Sequence, residues 1–414
     1  MAASFLRSVM TVAGGTAVAQ AVALAALPVI TRLYPPEAYG AFVVFIAWGG
    51  FVLPLVCARL DMAIPLPRRA RSAAALASGA LAVSALLTGA TALGVAAALA
   101  WQPDWARYGL AWLPVHVALG GALQVAGQWA SRSRAFASLS WSRIAQAAVT
   151  AVLSVALAMA LGAQPWALVA AMLAGQGAGL VLLVWHLRAD LALLRVRRAQ
   201  ARRLMRHFGR LASFNVPHVM SDAAQTSGLP LLIASAFGAP AAAYYAFAAR
   251  LLKAPLGLVS GAITQVYYPR AASHRSDDAR LRADASRLLR ASAPAALIAL
   301  PVLLLLPDAF FAWAFGESWA ALGGYVRAMS PWVLSAFVAA PLSALYLVKE
   351  RFALDFALSL GATVLAFALL GAGVLLGLGA TATLWVVAIG MTAYIVGSTV
   401  FEFRVVIGGG GGGR

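Results

Sequence analysis

The sequence predicts an all-α, polytopic membrane protein with about twelve transmembrane helices. Three observations predict it. Hydrophobic residues make up 63% of the 414 and charged residues 11%, with a mean hydropathy of +0.86, outside the range of water-soluble globular chains. The apolar runs have the length a helix needs to cross a bilayer, about 20 residues, and lack the short alternating pattern of barrel strands. The connections between runs are alternately rich and poor in Arg and Lys.

Taken in order, the first run covers 9–31; only Arg7 precedes it and its apolar stretch is too long for a signal peptide, so it is read as a retained helix. LYPPEAYGAF joins it to the second run, 40–58. The third to sixth runs cover 74–100, 109–130, 143–162 and 166–187. A long basic stretch, 188–211, separates these from the seventh and eighth, 212–235 and 241–264, which GAPAAAYYAF joins. The ninth to twelfth cover 286–306, 324–347, 354–376 and 380–403.

Nearly all of the 31 basic residues fall on one alternate set of connections, including Arg59 and Arg68 to Arg71, Arg132 to Arg143, Arg188 to Arg210 and Arg270 to Arg290. The other set holds Arg32 and Arg107. Basic flanks favour the cytoplasm, so both termini are assigned there. The net charge of +18 is then an inner surface facing anionic membrane lipid, and no nucleic-acid partner is expected. Cys57 is the single cysteine, which excludes an intrachain disulfide and a multi-cysteine metal site.

The 188–211 stretch divides the spans six and six: an N-terminal half, 1–187; a basic cytoplasmic linker, read as a basic amphipathic helix; a C-terminal half, 212–407; and a Gly-rich tail, 408–414. Ala-Tyr-x-Ala-Phe occurs at Tyr39 and returns at Tyr244, each time between the first two helices of a half. The same alignment sets Ala19-Gln20 against Ala224-Gln225. Features that recur with the same orientation predict two parallel repeats, an arrangement in which transporters place substrate between halves.

The halves differ in polar content. Asn215, His218, Asp222 and Gln225 recur at helical spacing on the seventh span, and Gln20 is the first-half counterpart of Gln225. On the eighth span Arg250 and Lys253 share a face with Gly257 and Ser260. Asp222, Arg250 and Lys253 lie near mid-membrane, where each charge costs ~2.5–3.5 kcal/mol against lipid, so they face protein or water. Two readings follow: an ion pair that docks two helices, or a cationic patch in a hydrated cavity with Asp222 as the ion-coupling group.

LPVITRLYPPEAYGAFVVF at 27–45, RLDMAIPLP at 59–67, AYYAFAARLLKAPLGLVSGAITQVYYPRA at 243–271 and the stretch from Phe311 to Tyr346 carry a family resemblance. Within the last, Phe315-Gly-Glu-x-Trp319 and Ala340-Pro-Leu-Ser343 are the most specific. The chain resembles the Wzx-type polysaccharide-biosynthesis flippases of the multidrug, oligosaccharidyl-lipid and polysaccharide exporter superfamily. The resemblance implies two six-helix bundles around a central cavity in a bacterial inner membrane. It implies alternating access that carries a polyprenyl-pyrophosphate-linked oligosaccharide to the periplasmic leaflet, and polysaccharide polymerase machinery as a downstream partner. Arg250 and Lys253 suit the anionic diphosphate, with Asn215, His218, Gln225 and Gln20 as further substrate contacts. Arg59 and Asp61 are read as an inner gate or an interfacial anchor, and Arg327 as an outer gate or a snorkelling arginine.

The two lysine-containing stretches, LLKAP and LVKER, exclude a Gly-Lys-Ser/Thr nucleotide loop, so a gradient-driven mechanism without cofactors is expected. A membrane glycosyltransferase or polymerase is the rival of another class. The longest outer connection, 307–323, offers only Asp308 and Glu317, far apart, and no catalytic residues are assigned. The five histidines show no metal spacing. A multidrug exporter of the same superfamily is the nearer rival, but drug cations favour a carboxylate-lined cavity and this one carries net positive charge.

Overall fold

A computed structural model describes residues 2–190, 198–275 and 277–406. The Gly-rich 408–414 and part of the 188–211 stretch lie outside them. The described residues form helices and no strand. The fold divides into two compact units, 1–235 and 236–414.

The first unit contains α1 (Ala2–Ala25), α2 (Leu27–Leu33), α3 (Pro36–Val52), α4 (Ala70–Trp101), α5 (Leu113–Arg132), α6 (Phe136–Leu161), α7 (Pro165–His186), α8 (Arg198–Ala223) and most of α9 (Leu229–Phe237). The second contains α10 (Ala239–Ser273), α11 (Asp278–Leu305), α12 (Asp308–Phe315), α13 (Leu322–Ala339), α14 (Ala344–Val348), α15 (Phe352–Leu375) and α16 (Ala380–Phe401).

Among the described residues, ten stretches are long and apolar enough to cross a membrane, matching the first six and last four expected spans. The chain is a multi-pass membrane protein. The seventh and eighth expected spans are helical too, but α8 begins in arginines and α10 carries Arg250, Lys253 and Arg270, which lower their apolarity. The basic 198–210 segment is continuous with the seventh span in α8. Its arginines at 202, 203 and 206 are exposed, while Ala201 is buried and Met205 packs against Gly79 of α4. Part of its apolar side therefore packs within its own unit.

Small residues set the helix spacing within the first unit. On α7, Gly175 and Gly179 stand one turn apart against α6; a Cβ at Gly175 would lie 2.6 Å from the Gln146 carbonyl oxygen, and Ser142 donates to Gly179 O at 2.8 Å. On α3, Gly50 meets Ser227. In the second unit α13 is central, packing with α10, α11 and α16.

Both copies of the repeated aromatic stretch are junctions between consecutive helices. Pro36 opens α3 after extended Pro35, and Gly238, at φ 89, precedes α10 with Pro240 in its first turn. A proline there loses nothing, since the first amide groups of a helix have no acceptor within it.

Candidate functional site

The seventh span is not a regular helix. Pro217 lies inside α8, and residues Ala224–Gly228 form a π turn before α9 begins. Such turns interrupt the normal backbone ladder and are frequent at functional sites. His218 and Asp222 meet one turn apart, Nε2 to Oδ2 at 3.8 Å, both substantially exposed. The Thr226 hydroxyl donates to Asp222 O at 2.7 Å. Gln225 sits half-buried in the π turn, where ordinary helical spacing no longer fixes which residues align. Asn215 belongs to α8, and its side chain lies outside the described ones.

On α10, Arg250, Lys253 and Gly257 are all exposed and lie on one face, as the spacing predicts. The Lys253 ammonium lies 5.5 Å from the centre of the Trp332 ring of α13, a cation–π distance that holds the charge at the helix surface. The start of the same helix is anchored by aromatic packing. Phe247 contacts Phe315 and Trp319 at 5.1 and 4.9 Å, and Tyr244 contacts Trp319 at 5.6 Å while donating its hydroxyl to Ser318 O. The Phe-Gly-Glu-x-Trp stretch is thus the partner of the second aromatic repeat. Gly316 within it adopts φ 102, a conformation that side chains rarely take.

The remaining expected residues are dispersed. Gln20 lies on α1, with its Oε1 buried and without a hydrogen-bond partner among the described residues. Ala58 and Arg59 both have positive φ, 46 and 60, before the short helix Leu60–Ala63. Asp61 is buried there; burial pushes its carboxyl up, while Arg59 and backbone donors pull the other way. Arg327 donates to Leu306 O at 2.8 Å and to Asp308 Oδ1 at 2.7 Å, fastening α13 to the start of α12.

Sequence reasoning missed two buried polar clusters in the second unit. The Asp284 side chain is only 5% exposed and accepts from Arg270, His274 and Arg287 at 3.0, 2.8 and 3.3 Å. Glu402 is buried near Tyr267 and beside Tyr346, an acid set against two phenols. Acidic residues interleaved with arginines at 277–284 were the available signal for the first. For the second, the signal was an acid at the end of an apolar span.

The family model described as "Polysaccharide biosynthesis protein" matches residues 29–322. The chain belongs to that family. The match runs from the end of the first span to the start of the tenth, taking in both aromatic repeats and the Phe-Gly-Glu-x-Trp stretch. No curated protein matches this family member by sequence. Its fold is similar to that of a multidrug resistance MATE family transporter of the MOP superfamily, solved in an inward-facing conformation, at a TM-score of 0.71 and 16% identity, over 97% of this chain and 95% of the other. It is also similar to that of the lipid II flippase MurJ, solved in an inward closed conformation, at 0.70 and 10% identity, over 96% and 89%. The polysaccharide biosynthesis family and this fold agree with the Wzx-type resemblance.

Proposed function

We propose that the protein is a secondary transporter that flips a polyprenyl-pyrophosphate-linked oligosaccharide from the cytoplasmic to the periplasmic leaflet of a bacterial inner membrane. The flipped lipid would feed O-antigen, capsule or exopolysaccharide assembly, with polymerase machinery acting next. Family membership supports the polysaccharide pathway, and the fold shared with a lipid II flippase supports a lipid-linked cargo. Transport would proceed by alternating access between repeats at 1–187 and 212–407, joined by the 188–211 linker, with both termini in the cytoplasm.

The observation that carries the substrate assignment is the exposed cationic face of α10. Arg250 offers a planar fork for a diphosphate, and Lys253 adds a mobile point charge. Asp222, within reach of His218, is the proposed ion-coupling carboxylate, and Asn215, His218, Gln225 and Gln20 are the proposed glycan contacts. Arg59, Asp61 and Arg327 are retained as proposed gates.

Export of surface glycan in a deletion strain complemented with variants tests this reading. Arg250→Ala and Lys253→Ala should each lower export at least tenfold at normal protein abundance, since each removes a charge-assisted contact of about 1.5–3 kcal/mol. Arg250→Lys should retain part of it. Full export by the double alanine variant would overturn the site, and drug efflux with normal glycan export would favour the exporter reading.

A further inference from the structure

The end of α5 and the turn that follows it carry Ser131, Arg132, Ser133 and Arg134, with Arg134 at φ 55. Arg132 is committed to the fold. Its guanidinium donates to the carbonyl oxygens of Pro65, Pro67 and Arg68 at 3.3, 2.5 and 3.2 Å, tying this turn to the segment before α4. Arg134 is exposed. Together these residues line an open cavity of about 510 Å³, with Trp129 and Asp190 on its wall.

Trp129 and Asp190 also line a second cavity, of about 180 Å³. The rest of that wall is apolar, from Ala77 and Leu81 of α4, Val125 and Ala126 of α5, and Leu180 and Val184 of α7. The Trp129 indole donates to Asp190 Oδ2 at 2.9 Å, which fixes the shared wall and occupies the one carboxylate of the larger cavity. A polar chamber bearing two guanidinium groups therefore adjoins a largely apolar cleft between membrane helices.

We propose that these adjoining cavities bind one anionic phospholipid of the surrounding bilayer, its phosphate at the Arg132–Arg134 turn and one acyl chain in the cleft. The chain adds little selectivity, because a lipid tail is as well solvated in the bilayer as in the cleft. Discrimination comes from the headgroup. An anionic phosphodiester meets two arginines and one already bonded carboxylate, whereas a choline headgroup brings its own cation against the same arginines. With Arg132 already donating to three carbonyls, the chamber suits a single phosphate better than a diphosphate. This site lies wholly in the first unit and does not depend on which sugar is transported.

The test uses the purified full-length protein in detergent, with lipid retention read by native mass spectrometry. Phosphatidylglycerol, phosphatidylcholine and a polyprenyl diphosphate are titrated separately and in competition. Phosphatidylglycerol should be retained about tenfold more tightly than phosphatidylcholine. Arg134→Gln, an exposed change, should reduce that preference about tenfold, and Ala126→Phe, which fills the cleft, should reduce retention of both phospholipids. Unchanged thermal unfolding of each variant establishes that it remains folded; Arg134→Asn is the substitute if Gln destabilises the turn. Equal retention of the two phospholipids, or a preference unaffected by the Arg134 variants, would overturn the proposal. So would displacement of phosphatidylglycerol by the polyprenyl diphosphate with the same dependence on Arg134, which would assign the chamber to the transported lipid.

Discussion

The Cys57 thiol is fully buried, with Sγ 3.7 Å from Gly121 O. A thiol reacts as its thiolate and only where a reagent can reach it, and this one is closed off by its own fold. Native protein should therefore resist N-ethylmaleimide over hours and label fully in denaturant, measured by mass shift. Rapid labelling of the native protein would show that this segment opens. The same scale shows why residue roles were only partly legible. The sequence marks Arg327 as a charge near a span end, but its two partners, Leu306 O and Asp308, come from a helix start about twenty positions away, and no spacing rule announces them. Arg250 and Lys253 were legible because both lie on one helix, where spacing alone sets their shared face.

Helices were legible wherever apolar length was the only requirement. The interruption at 224–228 was not, because a π turn depends on how neighbouring elements pack and leaves no compositional mark. Its packing is tight enough to test. A Cβ at Gly50 of α3 would lie 2.0 Å from Ser227 Oγ and 3.1 Å from Ser227 Cβ, and Ser227 is buried in the turn. Alanine favours a helix over glycine by ~1 kcal/mol, but forcing apart a packed contact costs ~1–3 kcal/mol. Gly50→Ala should thus destabilise the protein by up to about 2 kcal/mol on balance, read as a lower unfolding temperature in detergent. Ser227→Gly in the same chain removes both clashing atoms and should recover part of the loss, less the flexibility glycine adds to the turn. Undiminished stability of Gly50→Ala would mean that α3 and the π turn do not meet this closely.

At the scale of the whole molecule, the alternation of basic connections has a physical counterpart in each unit. In the first, Arg132 bonds the 65–68 segment and Trp129 bonds Asp190, so the second-to-third, fourth-to-fifth and sixth-to-seventh connections gather at one end. In the second, Lys349 pairs with Asp278, Arg275 pairs with Glu350, and Arg282 donates to Phe403 O, which gathers the basic connections of that unit in the same way. The positive-inside rule then predicts which end faces the cytoplasm. Single cysteines at exposed positions decide it, and the buried Cys57 need not be removed. Gln102→Cys in the first unit and Ser318→Cys in the second lie at the arginine-poor ends and should react with an impermeant maleimide in intact cells whose outer barrier has been opened. Arg71→Cys and Arg351→Cys, at the arginine-rich ends, should react only after the inner membrane is permeabilised. Reversed labelling in either unit would reject the orientation of that unit and, with it, the export direction proposed for the lipid-linked glycan.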